Sequence, residues 1–140
     1  MSVYLDASVL VALLTNDPFT RRAEAFLRAQ APVLVVSDFA AAEFASAIAQ
    51  RFRTREITVE EARSAFCTFD AWTARTASRV ETTAPDVAVA ATFLRRLDLT
   101  LRTPDALNIA IAQRTANMLM TFDEKMAANA HALGTPLVAA

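Results

Sequence analysis

One glycine, one cysteine and one histidine occur among the 140 residues, and each scarcity removes a class of chemistry. A single glycine cannot build a glycine-rich phosphate cradle, so the P-loop and the dinucleotide-binding fingerprint are both excluded. Cys67 stands alone, which rules out an internal disulfide and agrees with a reducing, cytoplasmic location. With His131 as the only histidine, no catalytic triad can be assembled around a second one, and His131 reads as a surface or packing residue. No apolar run reaches the roughly 18 residues that cross a bilayer. The N-terminus lacks a basic stretch and meets a carboxylate at Asp6, so it does not read as a signal peptide. The net charge of -1 argues against a wholesale basic nucleic-acid binder.

What is present is a globular composition, with 54% hydrophobic and 21% charged residues. The length suits a single domain over residues 1–140, and no repeat or low-complexity linker divides it. Most basic residues are arginines in local groups: Arg51, Arg53 and Arg55, then Arg95, Arg96 and Arg102. Arginine suits planar phosphate contact, and solvated helix faces are the plainer explanation for these groups.

Short apolar segments alternate with helical ones. Residues 3–5 read as a buried strand, followed by a helix over 8–16 that Pro18 ends. A helix over 19–30 precedes Pro32 and the β-branched strand 33–36. Ser37 reads as an N-cap, with Asp38 in the first turn of a helix reaching Arg53. Thr58-Val59-Glu60-Glu61 has capping-box spacing, and Val59, Ala62, Phe66, Phe69 and Trp72 then mark an amphipathic helix. That spacing makes the aromatics core or interface residues rather than an RNA-stacking surface, and Cys67 a core thiol. A further helix follows Pro85 and carries Val89, Phe93, Leu94 and Leu97. Thr103-Pro104 opens another, which ends near Asn117. Residues 119–121 and 136–138 complete a short, mostly parallel sheet covered on both faces.

Four acids stand where such a fold would gather them. Asp6 and Asp123 each follow an apolar strand, at the sheet edge where ligands bind in open parallel sheets. Asp105 lies in a first helical turn and can share that edge. Glu43 lies two turns into an alanine-rich helix, with small neighbours at Ala40, Ser46 and Ala47 and no basic residue within a turn. Taken singly, Asp6 and Asp123 could be N-caps and Asp105 a helix-dipole residue. An acid among Ala, Phe and Ile needs a partner, and that is harder to dismiss. Four carboxylates in one cleft call for a cation, and an oxygen-only donor set favours Mg²⁺ or Mn²⁺ over zinc. Ser8 and Thr121, each two residues from an acid, could hydrogen-bond its oxygens or serve as caps. Arg102 and Lys125 are the favoured phosphate contacts.

At these residues the chain resembles PIN-domain proteins, in particular the VapC toxin ribonucleases of type II toxin–antitoxin pairs. The matching segments are Tyr4-Leu5-Asp6-Ala7-Ser8, Ser37 through Glu43-Phe44, Thr103 through Ala110, and Leu119 through Met126 with its Thr121-Phe122-Asp123. The resemblance spans nearly the whole chain. It implies a three-layer α/β/α sandwich and an endoribonuclease using Mg²⁺ or Mn²⁺, with products carrying 5′-phosphate and 3′-hydroxyl ends. Asp6, Glu43, Asp105 and Asp123 match the acidic site, and Ser8 and Thr121 its supporting hydroxyls. On this reading Asp6, Asp105 and Asp123 would bind the metal, directly or through water, and Glu43 would bind it or help deprotonate the attacking water. It also implies an RNA substrate, a homodimer, and a cognate antitoxin whose C-terminal segment lies over the cleft. Members often have a glycine where Asn117 stands. Two rival readings keep the acids: a phosphotransfer domain with a nucleophilic Asp, which needs a lysine on a later strand, and a catalytically silent PIN-like binding module.

Overall fold

Val3, Tyr4 and Leu5 are all fully buried, although consecutive strand residues point to opposite faces. The strand they form must therefore be covered on both sides, as a parallel sheet requires. The structure, a computed structural model, describes residues 1–116 and 118–139.

In chain order, β1 (Ser2–Leu5) leads into α1 (Ala7–Leu14) and α2 (Thr20–Gln30), and β2 (Val33–Ser37) into α3 (Asp38–Arg53) and α4 (Val59–Thr76). Then β3 (Ala77–Val80) precedes α5 (Ala84–Leu94) and α6 (Thr103–Thr115), and β4 (Met118–Met120) precedes α7 (Glu124–Ala132). The strands lie in the order β3-β2-β1-β4, all parallel, with Tyr4 registered against Val35 on one side and Leu119 on the other. The result is the expected three-layer α/β/α sandwich. The chain winds outward from β1 to β3, then crosses back to lay β4 beside β1. The winding order thus reverses between β1 and β4, the place where parallel sheets open a crevice beyond the strand ends.

Local signals act as the sequence predicts at several helix starts. Ser37 accepts a hydrogen bond from the Ala40 amide, and Thr58 and Glu61 form a reciprocal capping box. Other expectations need correction. β3 lies where the sequence predicts no strand: it carries Ser78 and Arg79, follows α4 without a break and is a polar edge strand. Residues 136–138 add only a single bridge, Leu119 to Leu137, held by two hydrogen bonds to the backbone of Leu119. The first helix stops at Leu14, with the Thr15 amide and hydroxyl both turned back onto the Val11 carbonyl. Cys67 is exposed on α4, and Leu97 lies beyond α5 at 94% exposure, so neither belongs to the core. The helix end expected at Asn117 lies outside the described residues. Among those residues, no helix is long and apolar enough to cross a membrane.

Candidate active site

Asp6 is the centre of the site. It follows β1 directly and is 4% exposed, yet three donors meet its carboxylate. The Ser8 hydroxyl donates to Oδ1 at 2.6 Å, the Val9 amide to Oδ1 at 3.1 Å, and the Thr121 hydroxyl to Oδ2 at 2.5 Å. The bond from Val9 makes Asp6 the N-cap of α1 as well. Ser8 and Thr121 both hold the acid, and each also accepts an amide at 3.0 Å: Ser8 that of Phe122, and Thr121 that of Asp123 in the turn before α7. Since Thr121 and Phe122 follow β4, these bonds join the two strands that flank the crevice.

Burial pushes the Asp6 carboxyl up to about 6, and the charge of Asp123 adds to the rise while the three donors oppose it. Asp123 is exposed and caps α7 through the Met126 amide, so its capping role is real, and its charge still reaches Asp6 and Asp105. Asp105, in the first turn of α6, is also raised, first by partial burial and then by Asp123. Arg102 and Lys125 offset part of that rise, which places both cations at the rim of the acids. Glu43, half-buried on α3, is raised by burial and by the charges of Asp6 and Asp105. Each of the four acids thus lies in the field of at least one other.

The partner of Glu43 is Asn108 on α6. Its amide donates to Glu43 Oε1 at 2.6 Å and to the Pro104 carbonyl at 3.0 Å. The Tyr4 hydroxyl donates to Asn108 Oδ1 at 2.6 Å and stands 2.7 Å from the Ser37 hydroxyl, which must then act as the donor to Tyr4. A relay of fixed polarity therefore runs from the end of β2 through β1 and α6 to Glu43.

Among the described residues, no three Asp, Glu, His or Cys side chains stand close enough together to hold one metal ion. The donor set nonetheless fits a hard cation. It is all oxygen, and the carboxyls of Asp6, Glu43 and Asp105 are raised by burial and by neighbouring carboxylates, Asp123 acting on Asp6 and Asp105 and these two on Glu43, a strain that a positive charge relieves. Mg²⁺ keeps several waters and is commonly held by only one or two direct carboxylates. A cavity of about 390 Å³ opens at the site, touching Ser8 and Asp123. A larger one of about 470 Å³, between the end of α1, α3 and α4, has none of the four acids on its wall.

The PIN domain profile matches residues 3–132. The chain belongs to the PIN domain family. Solved structures share its fold. VapC20 of Mycobacterium tuberculosis, a sarcin-ricin loop cleaving toxin, is 18% identical with a TM-score of 0.72, over 90% of this chain and 93% of its own. VapBC2 of Rickettsia felis, bound to a promoter DNA fragment, is 15% identical with a TM-score of 0.71, over 99% and 98%. FitAcB of Neisseria gonorrhoeae is 15% identical with a TM-score of 0.73, over 96% and 95%. Likeness at these identities carries the fold. No curated protein matches the chain in sequence.

Two residues of this PIN domain's site carried a signal that sequence reasoning passed over. Asn108 is a polar residue in the run Ala106-Leu107-Asn108-Ile109-Ala110, one turn after Asp105. Tyr4 brings a hydroxyl into the otherwise apolar run Val3-Tyr4-Leu5 that leads to Asp6. Replacing Tyr4 by Phe leaves the Asn108 carbonyl and the Ser37 hydroxyl each short of a partner in the interior. The expected cost is about 1–3 kcal/mol of stability, read by urea unfolding. A variant as stable as the parent would mean that the relay is not a fixed network.

Proposed function

We propose that this PIN domain is a Mg²⁺- or Mn²⁺-dependent endoribonuclease, the toxin of a toxin–antitoxin pair. The observation that carries this reading is the buried Asp6, held by three donors at the crevice between β1 and β4, with Glu43, Asp105 and Asp123 in one mutual field. Asp6, Asp105 and Asp123 would hold the metal, directly or through water. Held there, such an ion would supply charge against the developing phosphoryl oxygens and ease deprotonation of water.

The chain's own groups do the rest. Ser8 and Thr121 fix the Asp6 carboxylate in one orientation. Glu43, raised in pKa and aimed by Asn108, is suited to accept a proton from the attacking water. Arg102 and Lys125 meet phosphates at the rim. The phosphotransfer alternative loses its lysine: Lys125, the only one in the chain, lies on α7 rather than on a strand. A cognate antitoxin as partner is supported by the likeness to the VapBC2 and FitAcB assemblies, and a homodimer by the family resemblance.

Incubation of a mixed RNA pool with the purified protein tests the activity. Cleavage is expected with Mg²⁺ or Mn²⁺, is lost in EDTA and returns on metal repletion, leaving 5′-phosphate and 3′-hydroxyl ends. Cleavage that persists in EDTA would overturn the metal assignment. A protein that binds metal yet cuts no RNA would favour the silent binding module.

A further inference from the structure

A pair of phenylalanines stands at the mouth of the acid site without belonging to the nuclease chemistry. Phe19, at the N-terminus of α2, stacks on Phe122, with ring centroids 4.7 Å apart and planes inclined by 9°. The Arg22 guanidinium carbon lies 5.4 Å from each centroid. Phe19 is 36% exposed, outside the hydrophobic core, whereas Phe122 packs partly against it. The pair borders two hollows. The cavity of about 390 Å³ has Ser8, Asp17, Ala47 and Asp123 on its wall beside both rings; a second of about 130 Å³ has Arg22, Thr121 and Glu124.

The placement of Phe122 gives the pair its meaning. It sits between Thr121, which donates to Asp6, and Asp123, and its own amide is tied to Ser8. Its ring is therefore set at a fixed offset from the acids. A partly exposed aromatic stack beside a cation matches the chemistry by which proteins hold unpaired bases: any base offers a π-face, and arginine adds a cation–π or phosphate contact. The larger hollow has a volume typical of small-ligand sites and suits one base.

We propose that Phe19, Phe122 and Arg22 form a stacking subsite that takes one unstacked base of single-stranded RNA and so sets the adjoining phosphate at the acids. This assignment rests on the ribonuclease reading and narrows its substrate to RNA with at least one base free of pairing.

The test uses a short single-stranded oligoribonucleotide carrying 2-aminopurine, titrated with the full chain in EDTA so that binding is read without cleavage. Stacking on the wild-type protein quenches the fluorescence. Phe19→Ala is expected to weaken binding roughly tenfold or more and to lose the quench. Phe19→Leu, apolar but without a π-face, should behave like alanine, and Phe19→Tyr like the parent. Wild-type binding by the leucine variant, or no quench by the parent protein, would overturn the subsite; the pair would then be a packing element or a protein-facing surface. Cleavage by the parent protein in Mn²⁺ is followed separately. Its failure with the quench intact would count against the ribonuclease reading alone, and its success without a quench against the subsite alone.

Discussion

Asp6→Asn is expected to abolish RNA cleavage while making the metal-free protein more stable at neutral pH. The loss of activity should reach about 10³-fold or more, roughly 4 kcal/mol of transition-state stabilisation, because the substitution removes the charge at the centre of the proposed cation site. The gain in stability follows from burial. The Asp6 carboxyl is pushed from 3.8 up to about 6 in the folded chain. A group raised in this way stabilises the fold below its unfolded value, and that contribution fades as pH rises through the folded one. Between about pH 4 and pH 7 the metal-free protein thus loses on the order of 1–3 kcal/mol at this residue. Asparagine carries no charge and escapes the loss, while its oxygen can still accept from Ser8 and Val9.

Urea unfolding in EDTA should therefore show the variant gaining on the parent as pH rises from 5 to 7.5. Glu43 and Asp105 shift in the same direction and remain in both proteins; the variant also frees Glu43 from the Asp6 charge, which acts in the same sense. Added Mg²⁺ should stabilise the parent more than the variant. A parent and variant with parallel pH profiles would mean that Asp6 is not held charged against its burial.

The largest loss of stability is expected at the C-terminal end of α6, from Arg114→Leu. Asp86 is 2% exposed and receives Arg114 Nε at 2.7 Å on one oxygen and Arg114 Nη2 at 2.7 Å on the other. The Thr83 amide adds a bond at 2.9 Å, and Arg114 Nη2 also meets the Glu81 carbonyl at 2.8 Å. This paired fork ties the loop after β3 and the start of α5 to α6. Arg114 holds the Asp86 carboxyl below its ordinary value. Removing the cation leaves a buried charge with only its cap, which costs about 3–5 kcal/mol when a pair is wholly enclosed. Arg114 is partly exposed, so about 2–3 kcal/mol is expected. The sign with pH is opposite to that of Asp6. Asp86 has a lowered pKa, so its contribution is present above the ordinary carboxylate value and is lost as pH falls through the folded one. The gap between parent and variant should be widest at neutral pH and close in acid. A gap of equal size at all pH values would assign the loss to packing of the arginine stem instead.

The four acids are legible in the sequence because each sits at a position with its own local marker: a strand end, a first turn, or an alanine-rich helix. Strand order follows less directly, yet short buried apolar runs between helices already imply a parallel sheet. What escaped the sequence was non-local. Asn108 bonds Glu43 across 65 residues, and Phe19 meets Phe122 from the other end of the chain, and neither separation leaves a periodic trace. β3 escaped for a different reason. An edge strand has one unpaired side and tolerates Ser78 and Arg79, so the alternation that marks a half-buried strand is blurred. Cys67 reads as a core thiol because helical spacing around it suits the core, while its own direction on α4 points to solvent.

A crystal grown in manganese and measured at the metal's absorption edge bears most directly on the site. An anomalous peak bounded by the carboxylates of Asp6, Asp105 and Asp123, some through water, is the outcome expected if these residues hold the cation. A peak elsewhere on the chain, or acids that stay apart in saturating manganese, would contradict it.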